Sequence, residues 1–321
     1  MTNYFKILSI IFLSFFIISC DDDNDDGVCC AGSSIVDLAS ETESLSTLVS
    51  ALQVTGLDAT LSSPGAFTVL APTNDAFDAF LTSINASSLD DIPVDVLTNV
   101  LLNHVFLGEV QSSALTNGYA STQAISNASD TNMSIYINTD NGVIFNGVSS
   151  VTTADVVASN GIVHIVDSVI GLPTVVTFAL ADPNFEILVQ ALTRDDLTMD
   201  FVGLLNSSTS PPTPLTVFAP FNNAFVNLLD ELGFSGLNDI DEPTLSAVLT
   251  YHVVTGANQL SINLSDGMEF TTAGGGTLLF NFGDNGEGIL TDNNGRTSNI
   301  VVVDVQANNG IIHAIDTVVL P

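Results

Sequence analysis

Histidine is the residue type in this chain best suited to acid–base chemistry and metal binding, and the 321 residues include four of them. They form two matched pairs, because His104 and His164 recur as His252 and His313, 148 and 149 residues later. One member of each pair ends an apolar helical stripe, and the other lies in an apolar strand. A metal site needs three or four close ligands, whereas duplicated core positions favour structural hydrogen bonding. We predict that all four histidines are neutral core residues.

No other pattern in the sequence indicates catalysis or cofactor binding. A Gly-x-Ser-x-Gly elbow, a phosphate loop and a dinucleotide fingerprint are all missing from it. The run Gly274-Gly275-Gly276 precedes a strand-like stretch, Thr277–Phe282, which favours a hairpin turn over a phosphate cradle. The sequence therefore predicts no cofactor, no bound metal and no enzyme activity.

The charge balance excludes two classes of partner. Acidic residues outnumber basic ones by 36 to 3, which gives a formal net charge of −33. Nucleic acid is excluded because phosphate binding needs clustered Lys and Arg. Docking onto anionic lipid through protein charge is excluded for the same reason. Hydrophobic residues make up 46% of the chain, enough to build packed cores.

The N-terminus predicts export. Lys6 precedes an apolar run over residues 7–18, which is too short for a comfortable membrane span and suits a signal-peptide core. The run ends in Ile17-Ile18-Ser19-Cys20, which resembles a bacterial lipobox. We expect residues 1–19 to be a signal peptide and Cys20 to carry the lipid. This predicts a protein anchored in the cell envelope through its N-terminal lipid only, at the outer membrane or cell surface of a Gram-negative bacterium.

Residues 20–33 are predicted to be a solvated acidic tether, because their run of aspartates cannot pack. The stretch from Asp22 to Gly27 matches the start of an EF-hand loop. The twelfth position is Ser33, where calcium binding requires a bidentate Glu, so we predict no calcium site. Cys29 and Cys30 receive no predicted role, since the chain beyond them contains no cysteine.

The rest of the chain is an internal duplication. Phe67–Phe77 returns as Leu215–Phe225, and Asn160–His164 returns as Asn309–His313. Upstream of the first motif the offset is 140, so the second copy carries about eight extra residues, which we place in a surface loop at Ser207–Pro214. The predicted domains are residues 34–173 and 174–321.

Within each copy helices come early and strands late. Leu45, Leu48, Val49 and Leu52 form an i, i+3, i+4, i+7 stripe, typical of a buried helix face. A short strand at 67–70 leads into a helix opened by Pro72 and Thr73. The later segments 133–137, 143–145, 151–157 and 162–170 alternate Val, Ile and Thr between turns. The predicted fold class is α+β with an antiparallel sheet system.

Both copies resemble fasciclin domains. The first signature of that family is matched by Thr68–Phe77 and Thr216–Phe225, and the second by Asn160–Asp167 and Asn309–Asp316. The central Tyr-His is kept as Tyr251-His252 but is Asn-His in the first copy. The resemblance implies two tandem fasciclin-like domains, each a wedge of two β-sheets with packed helices. It also implies extracellular adhesion without enzyme activity.

The resemblance further implies a possible partner contact, since an Asp-Ile pair upstream of the second signature binds receptors in some animal relatives. The matching residues are Asp155-Val156 and Asp304-Val305. The alternative is that each Asp caps a strand end and each Val fills the core. The expected function is non-catalytic binding of extracellular protein or polysaccharide. Two alternatives stay open: a structural envelope or matrix component, and an enzyme or small-ligand binder with a site between the domains.

Overall fold

The computed structural model describes residues 32–207 and 214–321, and Gly32–Pro321 forms a single contact unit. The predicted signal peptide, the lipidation site Cys20 and the cysteines Cys29 and Cys30 lie outside the described residues, as does most of the predicted loop at 207–214. Ser33, placed at the end of the acidic tether, already belongs to the first domain, because its carbonyl accepts a hydrogen bond from the backbone N–H of Ser159 (2.9 Å).

Each domain begins with three short helices and adds two more around its first strands. In the first domain the helices are α1 (Ile35–Glu41), α2 (Ser46–Thr55), α3 (Leu57–Ser62), α4 (Asn74–Ser83) and α5 (Val94–Leu102). In the second domain they are α6 (Val175–Ala181), α7 (Glu186–Leu192), α8 (Phe201–Asn206), α9 (Asn222–Leu232) and α10 (Glu242–Tyr251). The predicted start of α4 is confirmed, since the Thr73 side chain accepts from the N–H of Ala76 and caps the helix.

Seven strands follow the same plan in each domain. In the first they are β1 (Phe67–Pro72), β2 (Val105–Leu107), β3 (Gly118–Ile125), β4 (Asn132–Asn138), β5 (Ile144–Phe145), β6 (Ser149–Ala158) and β7 (Gly161–Val166). In the second they are β8 (Leu215–Pro220), β9 (Val253–Thr255), β10 (Met268–Thr271), β11 (Thr277–Phe282), β12 (Gly288–Thr291), β13 (Thr297–Gln306) and β14 (Gly310–Ile315). The turn at Gly274–Gly276 joins β10 to β11 as the predicted hairpin.

The sheet order is β2-β1-β7-β6-β5-β4-β3 in the first domain, and β9-β8-β14-β13-β12-β11-β10 in the second. The two predicted sheets of each wedge are therefore continuous through one shared strand, β6 or β13. The predicted α+β class is confirmed, and the antiparallel system holds among the described strands except that β1 pairs with β7 in parallel and β8 with β14 likewise. These partners lie almost a hundred residues apart, so no hairpin constrains their direction.

The strand next to the edge of each sheet, β1 or β8, separates two apolar cores. Val69 and Ala71 on β1 face the helices, whereas Leu70 faces the core enclosed by the other strands. Val217, Phe218 and Ala219 on β8 alternate in the same way. Successive strand residues point to opposite faces, so a strand buried on both sides reads as a continuous apolar run.

The two domains meet through an aromatic contact and a polar network. The Tyr119 hydroxyl on β3 donates to the buried Asp182 carboxylate after α6 (2.9 Å), and its ring meets Phe178 edge-on at 5.6 Å. Burial raises the pKa of Tyr119, and the Asp182 charge raises it further. Burial also raises the pKa of the neighbouring Tyr136 to about 12. The two tyrosines of the first domain thus pack against the apolar core of the second.

Gln306, at the end of β13, holds the polar part of this interface. Its backbone N–H donates to Ser134 Oγ (3.0 Å), and its side-chain amide donates to Ser126 Oγ (3.0 Å). Its Oε1 accepts from the Thr131 hydroxyl (3.3 Å). Ser126 in turn donates to the carbonyl of Ala307 (2.6 Å). Buried polar groups that are fully bonded specify one arrangement, so this network fixes the orientation of the domains.

Within the described part of the chain, no single helix is long and apolar enough to cross a membrane. Val175–Ala181 and Pro183–Leu192 together satisfy a length and composition test, but they are bent by 97°. Most of their buried side chains belong to the apolar core of the second domain.

Candidate binding surface

The strand histidines hold a strained turn in place. In the first domain the N–H of Asp155 donates to His164 Nδ1 (3.1 Å), and His164 Nε2 donates to the carbonyl of Val110 (2.9 Å). Nδ1 therefore carries no proton, and the approach of the Asp155 carboxylate to 3.9 Å is not an ion pair. In the second domain His313 makes the same bonds to Asp304 (3.4 Å) and Gln259 (2.7 Å).

The aspartates of the predicted contact pairs support a neighbouring turn. Asp155 and Asp304 have left-handed backbones, with φ of 60° and 59°. The Asp155 carboxylate accepts from the N–H (2.7 Å) and hydroxyl (2.5 Å) of Ser112, and these bonds lower its pKa. Asp304 accepts from the N–H (2.8 Å) and hydroxyl of Ser261. Each Asp therefore caps a 3₁₀ turn, not the strand end that the alternative interpretation expected.

The four residues of the predicted contact pairs differ in how far their side chains are exposed to solvent. The side chain of Asp155 is 39% exposed. Asp304 and Val156 are half-buried, and Val305 is 2% exposed and fills the core. The side chain of Val305 is therefore withdrawn from any partner, and the carboxylates offer only the lone pairs that the serines leave free.

The helix histidines join the helix end to the C-terminal segment of each domain. His104 Nδ1 donates to the carbonyl of Val100 (2.8 Å), and Nε2 accepts from the N–H of Ile170 (2.9 Å). His252 repeats this with Val248 (2.7 Å) and Val319 (3.3 Å). Burial lowers the pKa of both imidazoles to about 4. Burial also lowers the pKa of His313.

The signature asparagines have a role that the sequence reasoning missed. Asn74 accepts from the N–H of Thr47 (2.9 Å) and donates to the carbonyl of Glu43 (3.0 Å), so it ties α4 to the start of α2. Asn160 accepts from the N–H of Ile35 (2.9 Å) and donates to the carbonyl of Leu61 (2.7 Å). Asn222 and Asn309 make the matching bonds in the second domain. The recurrence of these asparagines at matching positions of both copies is the sequence feature that could have indicated this role.

The first domain has Asn103 where the second has Tyr251, and both side chains are buried and hydrogen-bonded. Tyr251 is fully buried, and its hydroxyl donates to the carbonyl of Thr277 (2.5 Å). Asn103 is equally buried, donates to the carbonyl of Gly171 (3.0 Å) and accepts from the Thr122 hydroxyl (3.1 Å). Both side chains satisfy backbone or hydroxyl groups of the core, which indicates a structural function.

Among residues 32–207 and 214–321, no group of three or more His, Cys, Asp or Glu side chains could hold a metal ion. Asp167 and Asp316, three residues after the strand histidines, accept from the backbone N–H groups of Ser150 (2.8 Å) and Asn299 (2.9 Å). An open cavity of about 380 Å³ lies on the second domain alone and contains Arg194. That guanidinium is occupied by Asp196 and by the carbonyls of Leu237 and Ile240.

The second domain presents an exposed apolar patch beside its Asp304 turn. Ile262 in the 3₁₀ turn is 86% exposed, and Val301 and Val303 on β13 are each 48% exposed. Ile262 adjoins Ser261 and Val303 adjoins Asp304, so both flank the hydrogen bonds that join turn to strand. We call Ile262, Val301 and Val303 the β13 patch.

The first domain has no counterpart of the β13 patch. At the offset of 149 residues that relates Asp155 to Asp304, the matching residues are Ser113, Thr152 and Ala154. The backbone scaffold is the same in both domains, but only the second carries branched apolar side chains there. This difference makes the β13 patch the candidate surface for an interaction.

The fold and these motifs define a fasciclin-domain protein, and the chain belongs to that family: the fasciclin domain model matches residues 43–173 and 183–321. Protein sll1483 of Synechocystis is 34% identical over 137 residues, covering 43% of this chain and 72% of that protein. The transforming growth factor-beta-induced protein ig-h3 of the pig is 28% identical over 265 residues, covering 81% of this chain. The chain spans only 35% of the length of ig-h3.

A solved structure shares the two-domain fold. The FAS1 domain pair from the insect cell adhesion molecule Fasciclin I superposes with a TM-score of 0.52 at 20% sequence identity, covering 88% of this chain and 98% of the other. Fasciclin domains occur in adhesion and extracellular-matrix proteins, and this agrees with the class of function expected from the motifs.

Proposed function

We propose that this chain is a non-catalytic adhesion protein of the cell envelope, anchored by a lipid on Cys20, which binds an extracellular protein through the β13 patch of its second domain. The observation that supports this most directly is the difference between two otherwise matched surfaces. Ile262, Val301 and Val303 are apolar and exposed, whereas the same scaffold in the first domain carries Ser, Thr and Ala.

The chemistry of the patch favours protein over polysaccharide as the partner. Branched aliphatic side chains bury apolar area but lack the planar rings and hydrogen-bonding groups that orient polar ligands. The net charge of −33 on the whole chain favours a partner with basic residues at the rim of the contact.

The test is cell attachment with matched variants. A deletion strain complemented with Ile262→Asp/Val303→Asp should attach to surfaces and to other cells as poorly as the deletion strain. The control is Ser113→Asp/Ala154→Asp, which adds the same charge at the equivalent places of the first domain and should attach like wild type. Wild-type attachment by the patch variant would contradict the proposal. An unchanged attachment but damaged envelope in the deletion strain would favour the structural alternative.

The anchor has a separate test. Cys20→Ser should abolish incorporation of a radiolabelled fatty acid and release the protein from the membrane fraction. Retention of lipid label in that variant would contradict lipidation at Cys20 without affecting the assignment of the β13 patch.

A further inference from the structure

The two domains of this chain meet through unlike faces. The first domain contributes its β3–β4 face, with Tyr119 and Tyr136 at the centre, and the second contributes the end of α6 together with Gln306. Because the domains are homologous, each also possesses the face that its neighbour uses. Among residues 32–207 and 214–321, the contact between the domains therefore leaves two faces uncovered: one on the first domain and one on the second.

The uncovered face of the first domain is formed by α1 and the end of β6, and we call it the α1–β6 face. Val157 stands at the position of Gln306, and Leu38 at the position of Phe178. The backbone is the same at both places: Ser159 N–H donates to the Ser33 carbonyl (2.9 Å), as Asn308 N–H donates to that of Pro173 (2.7 Å). Val157 is 73% exposed, whereas Gln306 is buried in the interface.

The uncovered face of the second domain lies on β10 and β11, and we call it the β10–β11 face. Tyr119 pairs with Tyr136 across β3 and β4, and Glu269 pairs with Leu279 across β10 and β11. Leu279 corresponds to Tyr136 because its neighbours Leu278 and Phe280 point into the strand core, as do Ile135 and Ile137.

The side chains of the β10–β11 face are more exposed than those of the β3–β4 face because no third domain of this chain packs on them in the described structure. Tyr136 is buried because the second domain covers it, whereas Leu279 is only half-buried. Apolar side chains therefore stand on both faces: Val157 and Leu38 on the first, and Leu279, paired with Glu269, on the second.

We infer that copies of this chain associate head to tail, with the β10–β11 face of one copy on the α1–β6 face of the next. The occupant is a second copy because the homologous pair of faces already meets once within the chain, where Tyr119 and Gln306 stand at the positions of Glu269 and Val157. Such a contact is heterologous, so it joins successive copies into a closed ring or an open array, according to the rotation between them. The net charge of −33 opposes the contact, so it is weak in dilute solution and strengthens as salt screens the repulsion.

The first test is sedimentation of the purified full chain over a range of concentrations at low and high salt. The average mass of the wild type should rise with concentration, and more steeply at 0.5 M than at about 0.02 M salt. Val157→Asp and Leu279→Asp should each weaken association about tenfold or more. A mass that stays monomeric at every concentration and salt would overturn the inference.

The matched control is Ile262→Asp, which places the same charge on another exposed apolar side chain outside both faces. It should associate like wild type while losing attachment, whereas Val157→Asp should lose association. The failure of the inference is thus distinguishable from the failure of the proposed function. Circular dichroism should show native secondary structure in all three variants, since none of the three replaced side chains is fully buried.

The second test places a photoreactive amino acid at position 157 of the full chain in its own cells. A cross-link to β10 or β11 of another copy, identified by mass spectrometry, supports the assembly. A cross-link to residues 1–31 of the same chain, a cross-link to a different protein, or no cross-link would each overturn it.

Discussion

The amide N–H of Asp155 donates to Nδ1 of His164 at 3.1 Å, and this bond connects a fully buried histidine to a left-handed backbone at the surface. The Asp155 carboxylate then holds the turn that begins at Ser112. Asp304 and His313 repeat the relationship. A histidine of the signature motif, a residue type suited to catalysis or metal binding, instead fixes the backbone conformation beside a candidate binding surface.

Replacing Asp155 with Ala should destabilise the protein, because the turn loses its cap and Ala is disfavoured at positive φ. Asp155→Asn should cost less, since Asn keeps one acceptor oxygen and tolerates the left-handed region. Urea unfolding of the two variants beside wild type measures the difference. Equal stability of the Ala and Asn variants would show that the cap and the backbone conformation contribute little.

Stability should fall as the pH drops from about 6.5 towards 4. The folded pKa of His104 and of His252 is about 4, below the value of about 6.5 for an unfolded chain. The unfolded state therefore binds more protons in this window, so the stabilisation is fully present above pH 6.5 and is lost as the pH falls. Each residue contributes up to about 3 kcal/mol over the window.

Denaturant unfolding at intervals between pH 7.5 and 4 measures this loss. A His252→Gln variant, which can still donate and accept but cannot be protonated, should be less stable at pH 7.5 and should show a flatter pH dependence. An unchanged slope in that variant would mean that other groups control the acid sensitivity.

Much of the fold follows from local patterns. The duplicated helical stripes, the cap at Thr73 and the hairpin at Gly274–Gly276 were predicted because each depends on neighbours in the sequence. The parallel pairing of β1 with β7 was not predicted, because no local sequence pattern encodes the relative direction of strands that lie so far apart in the chain.

Part of the candidate site could likewise be predicted from the sequence, and part could not. Alignment of the two copies shows that Ile262 stands where the first copy has Ser113. That the Ile262 side chain is exposed is known only from the structure. The roles of Asn74 and Asn160 depend on partners at 27 and 125 residues' separation, which spacing alone does not identify.

The Tyr251→Asn variant should lose about 3–5 kcal/mol of stability, because it leaves a cavity where the buried ring lay and removes the bond to Thr277. The tyrosine also explains a nearby glycine, since a Cβ on Gly276 would lie 2.4 Å from the ring. Gly276→Ala should therefore destabilise wild type but be tolerated in Tyr251→Asn. Thermal unfolding of the single and double variants tests this coupling, and additive losses would contradict it.

Gln306→Val, which installs the residue found at the same place in the first domain, should uncouple the two domains. The variant loses the side-chain bonds to Ser126 and Thr131 across the domain interface, at a cost of about 1–3 kcal/mol. Calorimetry should then resolve two unfolding transitions in place of one, and small-angle scattering should show a larger radius of gyration. Val301→Gln, an exposed change on the same strand, is the control and should keep a single transition. Because Val157 is the natural residue at this position in the first domain, a single cooperative transition in Gln306→Val would show that the aromatic contact of Tyr119 with Asp182 and Phe178 holds the domains together without the amide.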